Sequence, residues 1–252
     1  MESRIAKDHW LRSTKIAHRG LWGGEIPENS LAAFENAAKN GLSIEIDVHL
    51  TRDGYVVIHH DDTLKRMTGM NRKIADCTLE EIKALRLNGT EERVPLLTEL
   101  LPIAKGRSPL LIEIKSTTTI TGALEKALFD IIKDYDGEFA IQSFNPFSIK
   151  WYKDNAPEML RGQLATHLDE KSGQPAFNRF LLNRLALNGI TKPDFVSFDN
   201  RFLPNKFVAK ERKKGREIIA WTVTSKKREE EIKELCDNII FEHYTPDSFK
   251  NN

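Results

Sequence analysis

Residues 43–60 read SIEIDVHLTRDGYVVIHH, and this stretch decides how the chain folds. Its first part alternates Ile44, Ile46 and Val48 with Glu45, Asp47 and His49, the two-residue period of a β-strand. Thr51-Arg52-Asp53-Gly54 then marks a turn, with glycine free to take a positive φ. A second strand-like run, Tyr55 to His60, follows at once. A parallel crossover needs about a dozen residues or more, so a link this short fits only a hairpin. The second run is therefore expected to fold back antiparallel beside the first.

Strand-like runs also appear on either side: Lys15 to Ala17 before it, then Leu110 to Ile114, Phe139 to Ser143, Gly162 to Ala165, Phe195 to Phe198, Ile218 to Val223 and Asn238 to Phe241. Helical patterns lie between most of them. One begins at Glu28-Asn29-Ser30 with Leu31, Phe34, Ala37 and Ala38 at helical spacing and ends at Gly41. Others cover Gly122 to Asp134 and Lys226 to Leu235. Setting the hairpin strand aside leaves eight strands alternating with helices, the pattern of a distorted (β/α)8 TIM barrel. A doubly wound open sheet ranks lower, because no glycine-rich nucleotide fingerprint follows the first strand. Residues 61–98 break the rhythm with a capping-box pattern at Asp76 to Glu81 and a turn at Asn88-Gly89. They read as a small inserted cap within a single domain covering 1–252.

The chain is 40% hydrophobic and 30% charged, with a formal net charge of +1. That balance argues against a nucleic-acid partner, which leaves a basic excess. The first residues lack the apolar core of a secretory signal, and no run approaches the ~18 apolar residues of a membrane helix. Cys77 and Cys236 lie far apart and read as free thiols. A cytoplasmic protein acting on a small molecule, with no stable membrane association, is expected.

Barrel enzymes place reactive groups at the C-terminal ends of strands. Here those ends carry His18-Arg19-Gly20, Glu45-x-Asp47, His59-His60-Asp61 and Glu113-x-Lys115. Alternation puts Glu45 and Asp47 on one face, and Glu113 and Lys115 on one face. A single such acid reads as a rim residue paired with a lysine or arginine. Three acids on barrel strands beside two histidines read instead as a hard oxygen site for one divalent cation, Mg²⁺ or Ca²⁺. Among the histidines, His9, His167 and His243 suggest nothing, and His49 reads as a rim residue beside the turn. His59 alternates with His60, so only one faces the site. His18 and His60 suit general acid–base work on a phosphodiester, with Arg19 and Lys115 on the phosphoryl oxygens.

The same stretches resemble the glycerophosphodiester phosphodiesterase family: HRG at 18–20, PENS at 27–30, AFENAAKNG at 33–41, IEIDVHLTRDG at 44–54, VVIHHDDTLKRMTG at 56–69, VPLLTELL at 94–101 and LIEIK at 111–115. In the second half the matching parts are QSFNP at 142–146, WTV at 221–223 and the strand near Ile239. The resemblance implies a distorted barrel with an inserted cap, and metal-dependent hydrolysis of glycerophosphodiesters to sn-glycerol 3-phosphate and an alcohol. It implies a divalent cation on Glu45, Asp47 and Glu113, with His18 and His60 as the acid–base pair. Arg19 and Lys115 hold the phosphate, and the glycerol 2-hydroxyl attacks through a cyclic phosphate.

Two positions depart from the family pattern. Thr224 stands where asparagine usually follows Trp-Thr-Val, and the last strand ends in Phe241-Glu242 where Thr-Asp is usual. Both are expected near the barrel mouth. Two related barrels with histidine pairs fit less well. Phosphatidylinositol-specific phospholipase C works without a metal and would not need three acids, and the sphingomyelinase D group works at membrane surfaces. A non-hydrolytic phosphodiester-binding barrel would be expected to have lost a histidine or a carboxylate, and this sequence keeps them all.

Overall fold

A computed structural model describes residues 3–116 and 122–246, so both ends of the expected 1–252 domain lie outside the described residues. Nine strands occur among them: β1 (Ile16–Ala17), β2 (Ser43–Leu50), β3 (Val56–Ile58), β4 (Leu110–Ile114), β5 (Phe139–Ser143), β6 (Arg161–Ala165), β7 (Phe195–Asp199), β8 (Glu217–Val223) and β9 (Asn238–Phe241). Their hydrogen-bonding order is β1-β9-β8-β7-β6-β5-β4-β2-β3, with β1 also paired to β2. Eight strands therefore close a ring and β3 stays outside it. The fold is a (β/α)8 TIM barrel with a hairpin strand after its second strand. By internal contacts the chain divides into two compact units, Ile16–Ala140 on one hand and Met1–Lys15 with Ile141–Asn252 on the other.

The first unit explains the hairpin. β1 pairs in parallel with only the start of β2, Ile16 with Ser43 and Ala17 with Ile44. The far end of that edge is left for β3, which pairs antiparallel through Val48–Ile58, His49–Val57 and Leu50–Val56. β4 takes the other edge in parallel from Ile44 to Val48. The strand was expected to reach His60 but stops at Ile58, and β1 pairs further back along β2, at Ser43 and Ile44. One further backbone bond, from His59 N to Asp47 O at 2.9 Å, carries its direction past the strand end. Gly54 turns the hairpin at φ +89°, and the Thr51 hydroxyl accepts from Tyr55 N at 2.9 Å.

Helix Leu31–Lys39 begins at Ser30, whose hydroxyl accepts from Ala33 N. Its buried residues are Ala33, Phe34, Ala37 and Ala38. Burying a side chain such as Phe34 contributes roughly 1.5–3 kcal/mol. Within residues 61–98, short helices Lys65–Thr68 and Leu79–Lys83 flank a 3₁₀ turn at Ile74–Asp76. Thr78 and Glu81 form the capping box that the sequence suggested. The segment has its own small apolar core, in which Leu64, Met67, Ile74, Cys77, Ile82, Leu87 and Val94 pack on Val57 of β3. Its last expected residues already belong to helix Leu97–Ala104, which leads to β4.

In the second unit β6, β7, β8 and β9 pair in parallel in sequence order, and Ile141 to Ser143 of β5 pair with β6. Phe195, Phe198, Ile218 and Ile219 fill the interior, with Tyr152 fully buried from helix Pro146–Asn155. Cys77 and Cys236 are free, as expected from their spacing. Among the described residues no helix is long and apolar enough to cross a membrane.

Candidate active site

His18 is the first residue after β1. The chain then turns sharply, with Arg19 at φ +59° and Gly20 at φ +80°. A β-carbon on Gly20 would lie 2.9 Å from the Ala33 backbone. The glycine thus lets helix Leu31–Lys39 pack directly behind the turn. Trp22 donates its indole N–H to the His18 carbonyl at 3.0 Å. The Arg19 backbone N–H donates to Glu45 Oε2 at 3.1 Å, and His18 Nε2 lies 4.0 Å from the same oxygen.

Glu45 and Asp47 project from one face of β2, and Asp47 stands in register with Glu113 of β4. One carboxylate oxygen from each lies within 4.8 Å of the others. All three acids are buried: 1% exposed for Glu45, 0% for Asp47 and 6% for Glu113. Lys115 Nζ reaches Asp47 Oδ1 at 2.9 Å and Glu113 Oε1 at 2.6 Å. Burial pushes the Glu45 carboxyl well above the usual carboxylate range, and the charges of Asp47 and Glu113 push the same way. Burial likewise raises Glu113, to about 7, despite Lys115. Burial also opposes the charge on Asp47, but Lys115, His60, Arg19 and His18 outweigh it and keep Asp47 ionised.

The protein's own cations therefore do not neutralise the three acids. Oxygens spaced within 4.8 Å can share one hard cation at ~2.0–2.6 Å. The donor set, all carboxylate, fits Mg²⁺ or Ca²⁺ and not a soft metal.

His60 follows β3. Its Nδ1 lies 2.7 Å from Asp61 Oδ1, and the side chain is about one-third exposed. Burial lowers its affinity for a proton, and Lys115 and Arg19 add to this while Asp47 and Asp61 oppose it. His59 is turned the other way: it is 2% exposed, and its Nε2 donates to the Thr63 carbonyl at 3.3 Å. His49 corrects the expectation of a rim residue. It is buried in β2, and its Nε2 donates to the His60 carbonyl at 3.3 Å.

Arg19 is not idle: it donates to Glu28 Oε1 at 2.8 Å and lies 3.7 Å from Asp47 Oδ2. Asn29 donates to Asp47 Oδ2 at 2.9 Å. Arg66 donates to both Glu28 and Asp61. Glu28, Asn29, His49, Asp61 and Arg66 were not singled out as site residues. The signal available for Glu28 and Asn29 was the PENS stretch ahead of the helix, and for His49 its strand parity with Asp47. Trp22, Glu25, Glu28, Arg66, Asn88 and Thr90 line a cavity of about 730 Å³ between the 21–28 turn and the inserted segment.

Buried acids, two cationic side chains and two imidazoles gathered where barrel strands end are the marks of a barrel enzyme. Residues 18–240 match the family model described as the glycerophosphoryl diester phosphodiesterase family, and the chain belongs to that family. A glycerophosphodiester phosphodiesterase of Caldanaerobacter subterraneus subsp. tengcongensis is 38% identical over 164 residues, covering 61% of this chain and 67% of the relative. The fold matches an Oleispira antarctica phosphodiesterase, solved with its product sn-glycerol-3-phosphate, at a TM-score of 0.77 and 25% identity. That match covers 90% of this chain and 92% of the other. A Thermotoga maritima glycerophosphodiester phosphodiesterase matches at a TM-score of 0.71 and 26% identity, covering 90% and 94%.

Proposed function

We propose that this enzyme hydrolyses glycerophosphodiesters to sn-glycerol 3-phosphate and an alcohol, using His18 and His60 as acid and base. The observation that carries the reading is the convergence of Glu45, Asp47, Glu113 and Lys115 in one buried cluster, with His18 Nε2 4.0 Å from Glu45 Oε2 and His60 close enough to act electrostatically on Asp47. Glu45, Asp47 and Glu113 would hold one divalent cation. When bound, it would offset charge growing on the phosphoryl oxygens. Arg19 and Lys115 would hold those oxygens.

One histidine takes the proton from the glycerol 2-hydroxyl as that oxygen bonds to phosphorus. The bond from phosphorus to the alcohol oxygen breaks, and the other histidine protonates that oxygen. Water then opens the cyclic phosphate with the histidine roles exchanged. His60 has its Nδ1 on Asp61, which leaves Nε2 for the substrate. The cavity bounded by Trp22, Asn88 and Thr90 adjoins Glu28 and Arg66 and is offered as the place of the departing alcohol. The inserted segment would thereby help select that alcohol.

A panel of glycerophosphodiesters with different alcohols, assayed for released glycerol 3-phosphate with and without added Mg²⁺ or Ca²⁺, tests the reading. Release should require the cation, and Glu45→Gln should abolish it. Full release in excess chelator would overturn the metal assignment. Release of glycerol without its phosphate would overturn the reaction.

A further inference from the structure

We propose that Arg66, from the inserted segment, is a positioning residue that sets His60 and Arg19 together. The guanidinium lies between two carboxylates. Its Nε and Nη2 donate to Asp61 Oδ2 and Oδ1 at 2.7 and 3.2 Å. Its Nη1 and Nη2 donate to Glu28 Oε2 and Oε1 at 3.0 and 2.7 Å. Asp61 in turn meets His60 Nδ1 at 2.7 Å, and Glu28 accepts from Arg19 at 2.8 Å. One side chain therefore braces the partner of an imidazole and the partner of a phosphate-facing guanidinium.

The chemistry of each contact is fixed by charge. Asp61 and Glu28 both stay ionised against the effect of burial: Arg66 then His60 hold Asp61 low, and Arg66 then Arg19 hold Glu28 low. An ionised carboxylate only accepts, so His60 must carry its proton on Nδ1 and present Nε2. A planar guanidinium can serve two carboxylates in bidentate fashion, whereas a lysine ammonium is a point charge. Arg66 is 44% exposed at the side chain, so its replacement leaves the apolar core of the segment in place.

The catalytic consequence rests on the roles proposed above for His60 and Arg19, but the geometric claim does not. The experiment reads both. Protein labelled with ¹⁵N-histidine and supplied with Mg²⁺ or Ca²⁺ gives the imidazole tautomer of His60 by NMR, assigned through its loss in His60→Ala. Kinetics on an accepted glycerophosphodiester are measured for Arg66→Met, Arg66→Lys, Asp61→Asn and Glu28→Gln.

His60 in the unsubstituted protein should show the Nδ1–H form. Arg66→Met should mix it with the Nε2–H form, and Arg66→Lys should recover part of it. Asp61→Asn should lower kcat, Glu28→Gln should raise KM, and Arg66→Met should do both, with a fall in kcat of about 10–10²-fold. An unchanged His60 tautomer in Arg66→Met overturns the inference. So does a lowered Tm with the His60 tautomer, kcat and KM all unchanged, which is what a merely structural role would give. A changed tautomer with no change in turnover sustains the positioning of His60 and removes His60 from the reaction instead.

Discussion

His59 and His60 are neighbours in sequence with opposite surroundings, and they give the sharpest test at the residue scale. His18→Ala and His60→Ala should each cut turnover by about 10²–10⁴-fold with little loss of stability. The double variant should fall short of the product of the two losses, because groups acting as a unit are not additive. His59→Ala should keep turnover but lower stability by roughly 1–3 kcal/mol, since it removes a buried ring and leaves the Thr63 carbonyl unpaired. Burial, aided by His49, lowers His59 to about 4 against an ordinary value of 6.5. The unfolded chain therefore binds the extra proton between those values. Stability from His59 is fully present above about pH 6.5 and is lost as pH falls toward 4, which urea melts from pH 7 to pH 4 would show and His59→Gln would flatten. The two side chains have different surroundings, as strand alternation leads one to expect, and the bond from His59 N to Asp47 O extends the pattern one residue past β3. The link that Arg66 makes between Asp61 and Glu28, the partners of His60 and Arg19, was not legible. Arg66 lies 38 residues from Glu28, and nothing local in either stretch announces the other.

The elements show the same division between what pattern reveals and what packing decides. Eight parallel strands and one antiparallel hairpin follow from the length of the 51–54 link, a purely local constraint. How β1 and β3 share β2, β1 at Ser43 and Ile44 and β3 from Val48 to Leu50, only the assembled sheet could reveal. The inserted segment was legible as an interruption, but not its apolar core on Val57, since those residues are scattered among polar ones. Gly20 ties element to site. Alanine there would take a positive φ and press a β-carbon to 2.9 Å from Ala33. Gly20→Ala is therefore expected to lower stability by about 2–4 kcal/mol from strain and overpacking together. Activity should fall further than stability does, because the turn carries Arg19 beside Glu45. Chemical denaturation with parallel assays would check this, and an active variant of native stability would show that helix Leu31–Lys39 can retreat at no cost.

At the scale of the whole molecule, the three-acid cluster links folding to the proposed cation. In metal-free protein Glu45 and Glu113 have raised proton affinities, so the folded state binds more protons than the unfolded one above the ordinary carboxylate range. Stability from these groups is present below the unfolded value of 4.5 and is lost as pH rises toward about 7 for Glu113. A bound cation reverses the sign, because it favours the ionised carboxylates. Adding Mg²⁺ or Ca²⁺ at about 100 times its dissociation constant should add about 2.7 kcal/mol of stability. For a chain of this size that corresponds to a rise in Tm of about 5–10 °C at neutral pH, and the rise should shrink as the acids protonate near pH 5. Glu45→Gln replaces a buried acid by a neutral amide. It should melt no lower than the unsubstituted protein in chelator, and it should lose most of the rise on adding cation. Scanning calorimetry of both proteins, each with chelator and with cation at pH 5 and pH 7.5, separates the terms. A Glu45→Gln protein that melts lower in chelator yet still gains the full rise with cation would mean that the ion binds elsewhere and that Glu45 is held by Arg19 and His18 alone.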